Sequence, residues 1–495
     1  MRRVPTFFHG RRGPHPRREL TLTRRLGFAH PRLRVAAGAL TVLLAAAGGA
    51  AQNRPALVDA AKNTDRDALR ALLQKGVSVN AAEPDGTTAL HWASYRDDVE
   101  SAGLLIRAGA KVNAANDLGV TPLWTASLNG SEAMVRLLLS AGANPNAALL
   151  VGETPVMVAS RSGYPIVVEQ LIAKGANVNA RAARGQTALM WAVSQKHPDV
   201  VKVLLAHGAD VRARSDVWSQ VMAVPPHGHL DYNHAIPAGG ETPLMFAARV
   251  NDLASAKLLV AAGANVNDAD AWGVSATTLA AHSGYGELVE FLLEKGADPN
   301  AAPPGFTALH EAIMRRDEKM VSALLAHGAD GNAPLKTWTP TRRASHDFNF
   351  SPELVGATPF WLAARFSEPS VMRLLVKHGA DPLFVHHGEH VVDGKGGTGR
   401  ETRTDVTTAL MAATGMGGGE AWVRPDRGER EALTLEAVKL AAELGVDINR
   451  ANTDGRTALD AAKALKYDTV VKFLVEKGAK PGTSQKGQTA SAEKD

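Results

Sequence analysis

The chain has 495 residues, of which 45% are hydrophobic and 21% charged, so it holds enough apolar side chain to form a core and is not a wholly disordered protein. It contains no cysteine, which excludes disulfides, cysteine-ligated metal centres and a cysteine nucleophile. The net charge of +5 originates in residues 1–34, which carry ten arginines and one acid, because the rest of the chain has 45 basic and 49 acidic residues. That mild excess of acid argues against a nucleic-acid partner.

Residues 1–51 have the pattern of a secretory signal peptide. Arginine pairs precede an uncharged apolar run, Val35–Ala47, and the small residues Gly48–Ala51 follow it. Cleavage is expected between Ala51 and Gln52, which places the mature protein in the periplasm of a Gram-negative bacterium or outside the cell. The apolar run is short for a membrane span, so no stable membrane insertion is expected after cleavage, and an uncleaved anchor is the alternative.

The remainder of the chain is built on a repeat of about 33 residues. A Gly-Ala-(Asn/Asp)-x-Asn string or a close variant recurs at Gly76, Gly109, Gly142, Gly175, Gly208, Gly263, Gly296, Gly328, Gly379, Gly445 and Gly478. A Thr-(Pro/Ala)-Leu-like start recurs at Thr88, Thr121, Thr154, Thr187, Thr242, Ser275, Thr307, Thr358, Thr408 and Thr457. The distance from this start to the next glycine is 21 residues in nine of the ten pairs. Two motifs at a constant offset indicate one structural unit that is repeated along the chain.

Each unit is predicted to be a pair of helices. In the unit that begins at Thr121, the threonine can cap the first helix, and Pro122 suits the first turn, where no backbone N–H is needed. The residues predicted to face the core at helical spacing are Leu123, Ala126, Met134, Val135, Leu137 and Leu138. Gly142 is predicted to end the second helix, since glycine adopts the left-handed conformation without strain.

The motif Thr-Pro-Leu-His-x-Ala is typical of ankyrin repeats, and the chain carries it, with alanine in the second position, at Thr88–Ala93 and Thr307–Ala312. The sequence therefore resembles an ankyrin-repeat protein over residues 54–481, about eleven units. The resemblance implies an all-α solenoid of helix-turn-helix units with hairpin fingers along one edge. It implies no catalytic residues and no cofactor. It also implies a protein partner rather than a nucleic acid, and we expect a monomer.

Four insertions of 22, 18, 17 and 16 residues interrupt the period. The predicted boundaries are a signal peptide at 1–51, ankyrin repeats 1 to 5 at 52–212, an inserted loop at 213–238, repeats 6 to 8 at 239–332, an inserted loop at 333–355, repeat 9 at 356–383, an inserted loop at 384–406, repeat 10 with an internal insertion at 407–449, a capping repeat at 450–481 and a disordered tail at 482–495. Loops over a rigid scaffold are frequent sites of function, so the insertions are candidate binding elements.

The family's mode of binding implies two sets of candidate contact residues. Candidates on the concave helix face are Tyr95, Arg96, Leu128, Asn129, Arg161, Arg249, His282, Arg315 and Arg365. Candidates at the finger tips are Asp85, Asp117, Leu118, Arg184 and Trp272.

The inserts hold seven of the 17 histidines and a set of aromatic residues that is unusual for exposed linkers. These aromatic residues are Trp218, Tyr232, Trp338, Phe348, Phe350 and Trp422. They either pack on the solenoid or form a recognition patch, and the second hypothesis assigns the first five of them to partner binding.

A histidine cluster in the third insert raises the question of a metal. His386-His387-Gly388-Glu389-His390 formally matches H-x-x-E-H, but that zinc-peptidase motif requires a helix, and the glycines in and after it disfavour one. Structural metal binding by His386, His387 and His390, with Asp393, is the alternative to a solvated histidine loop.

These observations predict a non-enzymatic, exported protein-interaction scaffold. Two alternatives stay open, which are a metal- or small-ligand-binding protein that uses the inserts and a secreted effector. The sequence does not identify the partner.

Overall fold

The computed structural model describes residues 54–223, 233–339, 350–393, 400–418 and 426–483. Side chains at 222–223, 233–234, 390–393 and 400–403 lie outside the description, as do the predicted signal peptide and most of the predicted tail. The described elements belong to one compact unit that begins at Ala56. No helix in the described part of the chain is long and apolar enough to cross a membrane.

The described residues form 22 α-helices in eleven consecutive pairs, which we number as repeats 1 to 11, each with an inner helix followed by an outer helix. The inner helices are α1 Ala56–Lys62, α3 Ala89–Tyr95, α5 Pro122–Asn129, α7 Pro155–Ser162, α9 Ala188–Ser194, α11 Pro243–Val250, α13 Ala276–Ser283, α15 Ala308–Met314, α17 Pro359–Arg365, α19 Ala409–Ala413 and α21 Ala458–Leu465. The outer helices are α2 Arg66–Gln74, α4 Val99–Arg107, α6 Glu132–Ser140, α8 Pro165–Ala173, α10 Pro198–Ala206, α12 Leu253–Ala261, α14 Gly286–Glu294, α16 Glu318–Ala326, α18 Pro369–Lys377, α20 Arg427–Glu443 and α22 Asp468–Glu476. The predicted all-α repeat solenoid is confirmed.

The predicted threonine start is the N-cap of the inner helix. Thr121 Oγ1 accepts a hydrogen bond of 3.2 Å from Trp124 N, and Pro122 occupies the first turn, where its missing N–H costs nothing. Where the motif carries histidine, the cap is reciprocal. In repeat 8, His310 Nδ1 accepts from Thr307 N at 3.1 Å, while His310 Nε2 donates to Ala333 O, also at 3.1 Å.

The core lies between the two layers of helices, and each inner helix packs against the inner helices of its neighbours. Leu123, Ala126 and Met134 are fully buried, as predicted, whereas Leu137 is only half-buried. Many inner positions hold alanine, which lets the helices of adjacent repeats approach closely. The core is therefore continuous from repeat to repeat.

A ladder of asparagine side chains joins the repeats outside this core. Asn146 Nδ2 donates to Gly175 O at 2.8 Å, and Asn146 Oδ1 accepts from Asn177 N at 2.7 Å, so one amide holds two backbone groups of the next repeat. The asparagines whose amides make this pair of bonds are Asn80, Asn113, Asn146, Asn179, Asn267, Asn300, Asn332 and Asn449. We call each such amide a rung.

Two rungs are replaced, and both replacements precede an insert. Arg212 and Leu383 occupy the position four residues after the helix-ending glycine, where repeats 1 to 4, 6 to 8 and 10 carry the rung asparagine. After Arg212, the guanidinium of Arg214 bonds Gly240 O at 2.9 Å and Ala269 O at 2.7 Å, so a cation joins the two sides of the first insert. The second insert, by contrast, leaves its rung intact, since Asn332 still bonds Gly379 O at 2.9 Å.

The first and third inserts contain paired β-strands, which corrects the prediction of inserted loops at 213–238 and 384–406. Strand β1, Val217–Ala223, pairs antiparallel with β2, Asn233–Gly239, and β3, Val385–Asp393, pairs antiparallel with β4, Arg400–Thr408. The 33-residue period carries no information about these strands, because their pairing is internal to each insert. In β4, Thr402, Thr404, Val406 and Thr408 occur in alternation, a β-branched pattern that favours a pleated strand over an irregular loop.

The other two inserts also contain regular structure in their described residues. In the second, Phe350 N donates to Thr339 Oγ1 at 2.7 Å, Thr339 N donates to Phe350 O at 3.1 Å, and a 3₁₀ turn follows at Pro352–Leu354. The predicted internal insertion of repeat 10 is partly helical, because its outer helix α20 has 17 residues and starts at Arg427. The inner helix of that repeat, α19, is short at five residues.

Replacing the rung Asn146→Ala should lower the free energy of unfolding by about 1–2 kcal/mol, because it removes two hydrogen bonds between repeats. Urea unfolding followed by circular dichroism measures the change. Arg212→Ala is the matched control at the same repeat position and should stay within about 0.5 kcal/mol of the unsubstituted protein. Equal losses in the two variants would show that the rung contributes nothing.

Replacing His310→Met should reduce the loss of stability at mildly acidic pH. Burial lowers the pKa of His310 to about 4, below its ordinary value of 6.5, so only the unfolded chain takes up a proton as the pH falls through 6.5. The wild-type protein should therefore lose about 2 kcal/mol more between pH 7 and pH 5 than the variant. Methionine occupies this slot in four other repeats, which makes it a tolerated substitute. Identical losses in urea titrations of both proteins at the two pH values would contradict this assignment.

Candidate binding surface

Each inner helix has one side on which some side chains remain partly exposed, and we call this side the inner-helix face. It comprises the positions four, seven and eight residues after the N-cap, which lie on one side of a helix because residues three and four apart are neighbours. The predicted concave-face candidates all belong to it.

Several of these candidates also join adjacent repeats. Arg96 Nε donates to Lys62 O at 3.0 Å, and Asn129 Nδ2 donates to Tyr95 O at 2.9 Å. Arg315 Nε donates to His282 O in the same way. Each bond satisfies a carbonyl at the C-terminal end of the preceding inner helix, which the helix itself leaves without a partner. The residues therefore have a structural role in addition to any contact with a partner.

Two arginines of the face form ion pairs with buried carboxylates of their own repeat. Arg161 Nη1 lies 2.7 Å from Glu153 Oε1, and Arg249 pairs with Glu241 in the equivalent arrangement two repeats later. Burial raises the pKa of Glu153 above its ordinary value, and the nearby Arg161 opposes that rise. In each pair the carboxylate lies beneath and the guanidinium lies nearer the solvent.

The centre of the face exposes apolar side chains that the sequence analysis missed. Trp191, Phe246 and Leu279 are each four residues after the N-cap, in repeats 5, 6 and 7, and all three are partly exposed. At the equivalent position, Trp92 and Leu362 are buried, with 3% and 0% of their surface exposed. We call Trp191, Phe246 and Leu279 the apolar patch. The signal that could have found it is the run of large apolar residues at one repeat position in three successive units.

Charged groups border the apolar patch. The Arg161 guanidinium lies 5.4 Å from the centre of the Trp191 ring, within the range of a cation–π interaction. Arg249 follows Phe246 by three residues and His282 follows Leu279 by three residues, so each lies beside the patch on its own helix. His282 Nδ1 is 3.1 Å from Glu311 Oε2, a buried carboxylate of repeat 8.

The chain itself covers part of the inner-helix face at repeat 9. After the short helix α19 the backbone turns back, and Arg365 Nε donates to Gly418 O at 2.7 Å. Gly417, at φ +90°, lies so close to Trp361 that an added Cβ would be 2.5 Å from the ring. Arg365 is therefore engaged by the fourth insert, and the part of the inner-helix face that lies clear of this segment ends before repeat 9.

The finger-tip candidates are linked by backbone hydrogen bonds from finger to finger. Asp117 N donates to Asp85 O at 2.9 Å, and Leu150 N donates to Leu118 O at 3.1 Å. Trp272 is partly exposed and makes an edge contact with Phe306, with ring centres 5.8 Å apart. These tips form a connected edge rather than independent loops.

Among the aromatic residues of the inserts, Phe350 does not reach the surface, which corrects its assignment to partner binding. It is 2% exposed and packs against Phe306 and His310, with ring centres 5.7 and 6.2 Å away. Trp218 is partly exposed, with the Arg184 guanidinium 4.6 Å from its ring, and Trp338 is also partly exposed. The candidates Tyr232 and Phe348, together with Trp422, lie outside the described residues.

The histidines of the third insert lie on a strand, and its alternation separates them. His386 is fully buried, stacks on Trp361 at 4.3 Å and bonds Val355 O through Nε2 at 3.0 Å, and burial lowers the pKa of its ring. His387 is exposed, so the two rings lie on opposite faces of β3. His390 pairs with Arg403 in the strand register, and its side chain lies outside the described residues.

This geometry corrects the hypothesis of one metal held by His386, His387 and His390, because neighbouring strand residues cannot turn to a common ion. Within the described ranges, no group of three or more histidine, aspartate or glutamate side chains is arranged to hold a metal.

Comparison with known proteins agrees with this architecture. Models of the ankyrin repeat match residues 57–149, 148–215, 226–303, 244–335 and 355–387, more than half of the chain. The chain belongs to the ankyrin-repeat family. Ankyrin repeats are protein-interaction modules and typically carry no catalytic activity, so the family implies a protein–protein interaction scaffold.

The chain is also similar to individual ankyrin-repeat proteins. It is 30% identical over 240 residues, 48% of its length, to an ankyrin repeat and KH domain-containing protein of Caenorhabditis briggsae. It is 30% identical over 287 residues, 50% of its length, to the E3 ubiquitin-protein ligase KEG of Arabidopsis thaliana. These matches span 8% and 16% of those proteins, so the chain covers less than a fifth of either relative. The solved ankyrin repeat domain of human ASB11 matches half of this chain over its own full length, with 30% identity and a TM-score of 0.41.

The two adjacent histidines of β3 should respond differently to substitution. His386→Ala should cost about 2–3 kcal/mol of unfolding free energy, because it leaves a cavity beside Trp361 and removes the bond to Val355. His387→Ala should change stability by less than about 0.5 kcal/mol. Chemical denaturation with and without zinc measures the unfolding free energy of both variants. Stabilisation by stoichiometric zinc that either substitution abolishes would restore the metal-site hypothesis.

Proposed function

We propose that this protein is a non-enzymatic scaffold that binds a protein partner on its inner-helix face, at repeats 4 to 8. The observation that carries the proposal is the apolar patch. Tryptophan, phenylalanine and arginine are the residue types that most often dominate the energy of protein interfaces. Here Trp191 and Phe246 lie side by side on successive repeats with Arg161 and Arg249 beside them.

The scaffold favours this use because the patch is held on rigid elements. Trp191 and Phe246 lie on helices α9 and α11, which pack directly against each other. Binding to a surface that is already ordered costs little conformational entropy. Most of the free energy gained by burying the apolar patch therefore contributes to affinity. An exposed apolar cluster with a charged rim is typical of an interaction site.

We also propose that the protein acts after export. The arginine-rich leader with its apolar run supports this, and cleavage after Ala51 would release a chain that begins at Gln52. N-terminal sequencing of protein recovered from the periplasmic fraction tests the proposal. An intact leader on protein that stays in the cytoplasm would contradict it.

Affinity capture from a periplasmic extract tests the scaffold proposal, with residues 52–495 as bait. The double variant Trp191→Ala/Phe246→Ala should retain less than a tenth of the partner that the unsubstituted bait retains, since loss of such anchors costs about 2 kcal/mol or more each. The matched control is Ile166→Ala/Val475→Ala, which removes exposed apolar side chains from outer helices.

Circular dichroism establishes that both variants are folded before the comparison. Equal retention by the two variants would remove the inner-helix face as the binding surface. Capture by neither the variants nor the unsubstituted bait would contradict the scaffold proposal.

A further inference from the structure

We propose that the partner is recognised through an acidic peptide segment that places an aromatic or branched apolar side chain on Trp191 and Phe246 and carboxylates against Arg161 and Arg249. This inference rests on the proposed function and specifies the chemistry of the partner. The expected ligand is an acidic segment of a protein, and neither a basic segment nor an uncharged apolar segment.

The apolar patch defines the anchor position. Trp191 and Phe246 are four residues after the N-cap of successive inner helices and remain partly exposed, as does Leu279 one repeat further on. Packed helices lie about 10 Å apart, so the patch extends over about 20 Å. An extended segment of about six residues spans that distance, at about 3.3 Å per residue.

The charge at the edge of the patch is layered. The side chain of Arg249 is 38% exposed above a Glu241 side chain that is 9% exposed, and Arg161 is 17% exposed above a Glu153 that is 5% exposed. The side chain of His282 is 33% exposed, and that of Glu311, with which it pairs, is 4% exposed. At Arg161 and Arg249 a partner therefore meets a guanidinium first, while the carboxylate lies beneath it.

The neighbouring groups extend this cationic layer towards repeat 9. Arg315 and Arg316 close the inner helix of repeat 8, and Arg316 Nη1 donates to Phe366 O at 2.6 Å. The nearby Glu368 is buried, which raises its pKa to about 8, so it carries little negative charge at neutral pH to offset Arg316.

Asp270, in the finger of repeat 7, is a carboxylate close to Arg249. Asp270 accepts hydrogen bonds from Trp272 N at 2.9 Å and Val274 N at 2.8 Å, so its charge is held by the finger backbone. Burial raises its pKa, and the backbone hydrogen bonds and Arg249 oppose that rise. The groups nearest the solvent beside the apolar patch thus include the guanidiniums of Arg161 and Arg249, although the chain beyond residue 34 is mildly acidic.

Guanidinium groups bind carboxylates through paired, charge-assisted hydrogen bonds and also stack on aromatic rings. Arg161 already lies over Trp191. An aromatic or branched side chain followed by aspartate or glutamate would contact the Trp191 ring and the Arg161 guanidinium at the same place. The cations of a basic segment would be repelled by that guanidinium.

A displayed library of random twelve-residue peptides, selected on residues 52–495, tests the inference. Selected sequences should combine an aromatic or branched apolar residue with at least two acidic residues. A fluorescent copy of the enriched peptide then gives the dissociation constant by anisotropy, at 50 mM and 300 mM salt.

Trp191→Ala/Phe246→Ala should weaken binding of this peptide at least thirtyfold, and Ile166→Ala/Val475→Ala should leave it unchanged. Replacing the acidic residues of the peptide by their amides should weaken binding to the unsubstituted protein at least tenfold and remove most of its salt dependence. This second comparison leaves the protein intact, so a folding defect cannot produce it.

The outcomes separate the two proposals. If the selected peptides are basic or uncharged, or if the amide peptide binds as well as the acidic one, while Trp191→Ala/Phe246→Ala still abolishes binding, the acidic inference is overturned and the scaffold function stands. If binding is the same in Trp191→Ala/Phe246→Ala and in the unsubstituted protein, both are overturned.

Discussion

The asparagine rung is the constraint shared by eight of the ten junctions between the described repeats. A primary amide offers an acceptor and a donor on one planar group, so a single side chain can bond a carbonyl and an N–H of the next repeat at once. Asn113, for example, bonds Gly142 O at 3.0 Å and Asn144 N at 2.7 Å. Because both partners are backbone groups at the end of an outer helix, each rung fixes where the outer helix of the next repeat ends.

This constraint explains where the chain tolerates additional residues. An insertion between the rung and the next inner helix leaves the bridged atoms in place, and Asn332 accordingly still reaches Gly379 across the second insert. The hairpins at the first and third inserts coincide with the two positions where the rung is replaced. There other contacts hold the repeats together, namely Arg214 with Asp268 at 2.9 Å in one case and Asn452 with Asp405 at 3.0 Å in the other.

Because the scaffold is regular, a side chain that differs from those at the same position in other repeats indicates a candidate binding site. The inner helices present the same repeat positions along the array, and most of these positions are occupied by buried residues or by residues that bond a neighbouring repeat. Trp191, Phe246 and Leu279 interrupt that uniformity with partly exposed apolar surface. Buried carboxylates beneath partly exposed guanidiniums then give the same region an excess of positive charge towards solvent, without adding net charge to the protein.

Much of the fold could be predicted from the sequence because each repeat is specified locally. Thr121 and Pro122 define a helix start, and Gly142 at φ +87° defines a helix end, whatever the rest of the chain does. The strands of the inserts could not be predicted from the period, since they depend on pairing within the insert. The separation of His386 from His387 follows only once the strand is known. The burial of Phe350 and the exposure of Trp191 both depend on the size of neighbours in adjacent repeats, which no single repeat encodes.

Hydrogen–deuterium exchange on the complex of residues 52–495 with its captured partner tests directly whether the inner-helix face binds that partner. We expect the partner to slow exchange in the inner helices Ala188–Ser194, Pro243–Val250 and Ala276–Ser283 and to leave exchange in the outer helices of the same repeats unchanged. Protection confined to the outer helices, or to the hairpin Val385–Thr408 alone, would contradict it.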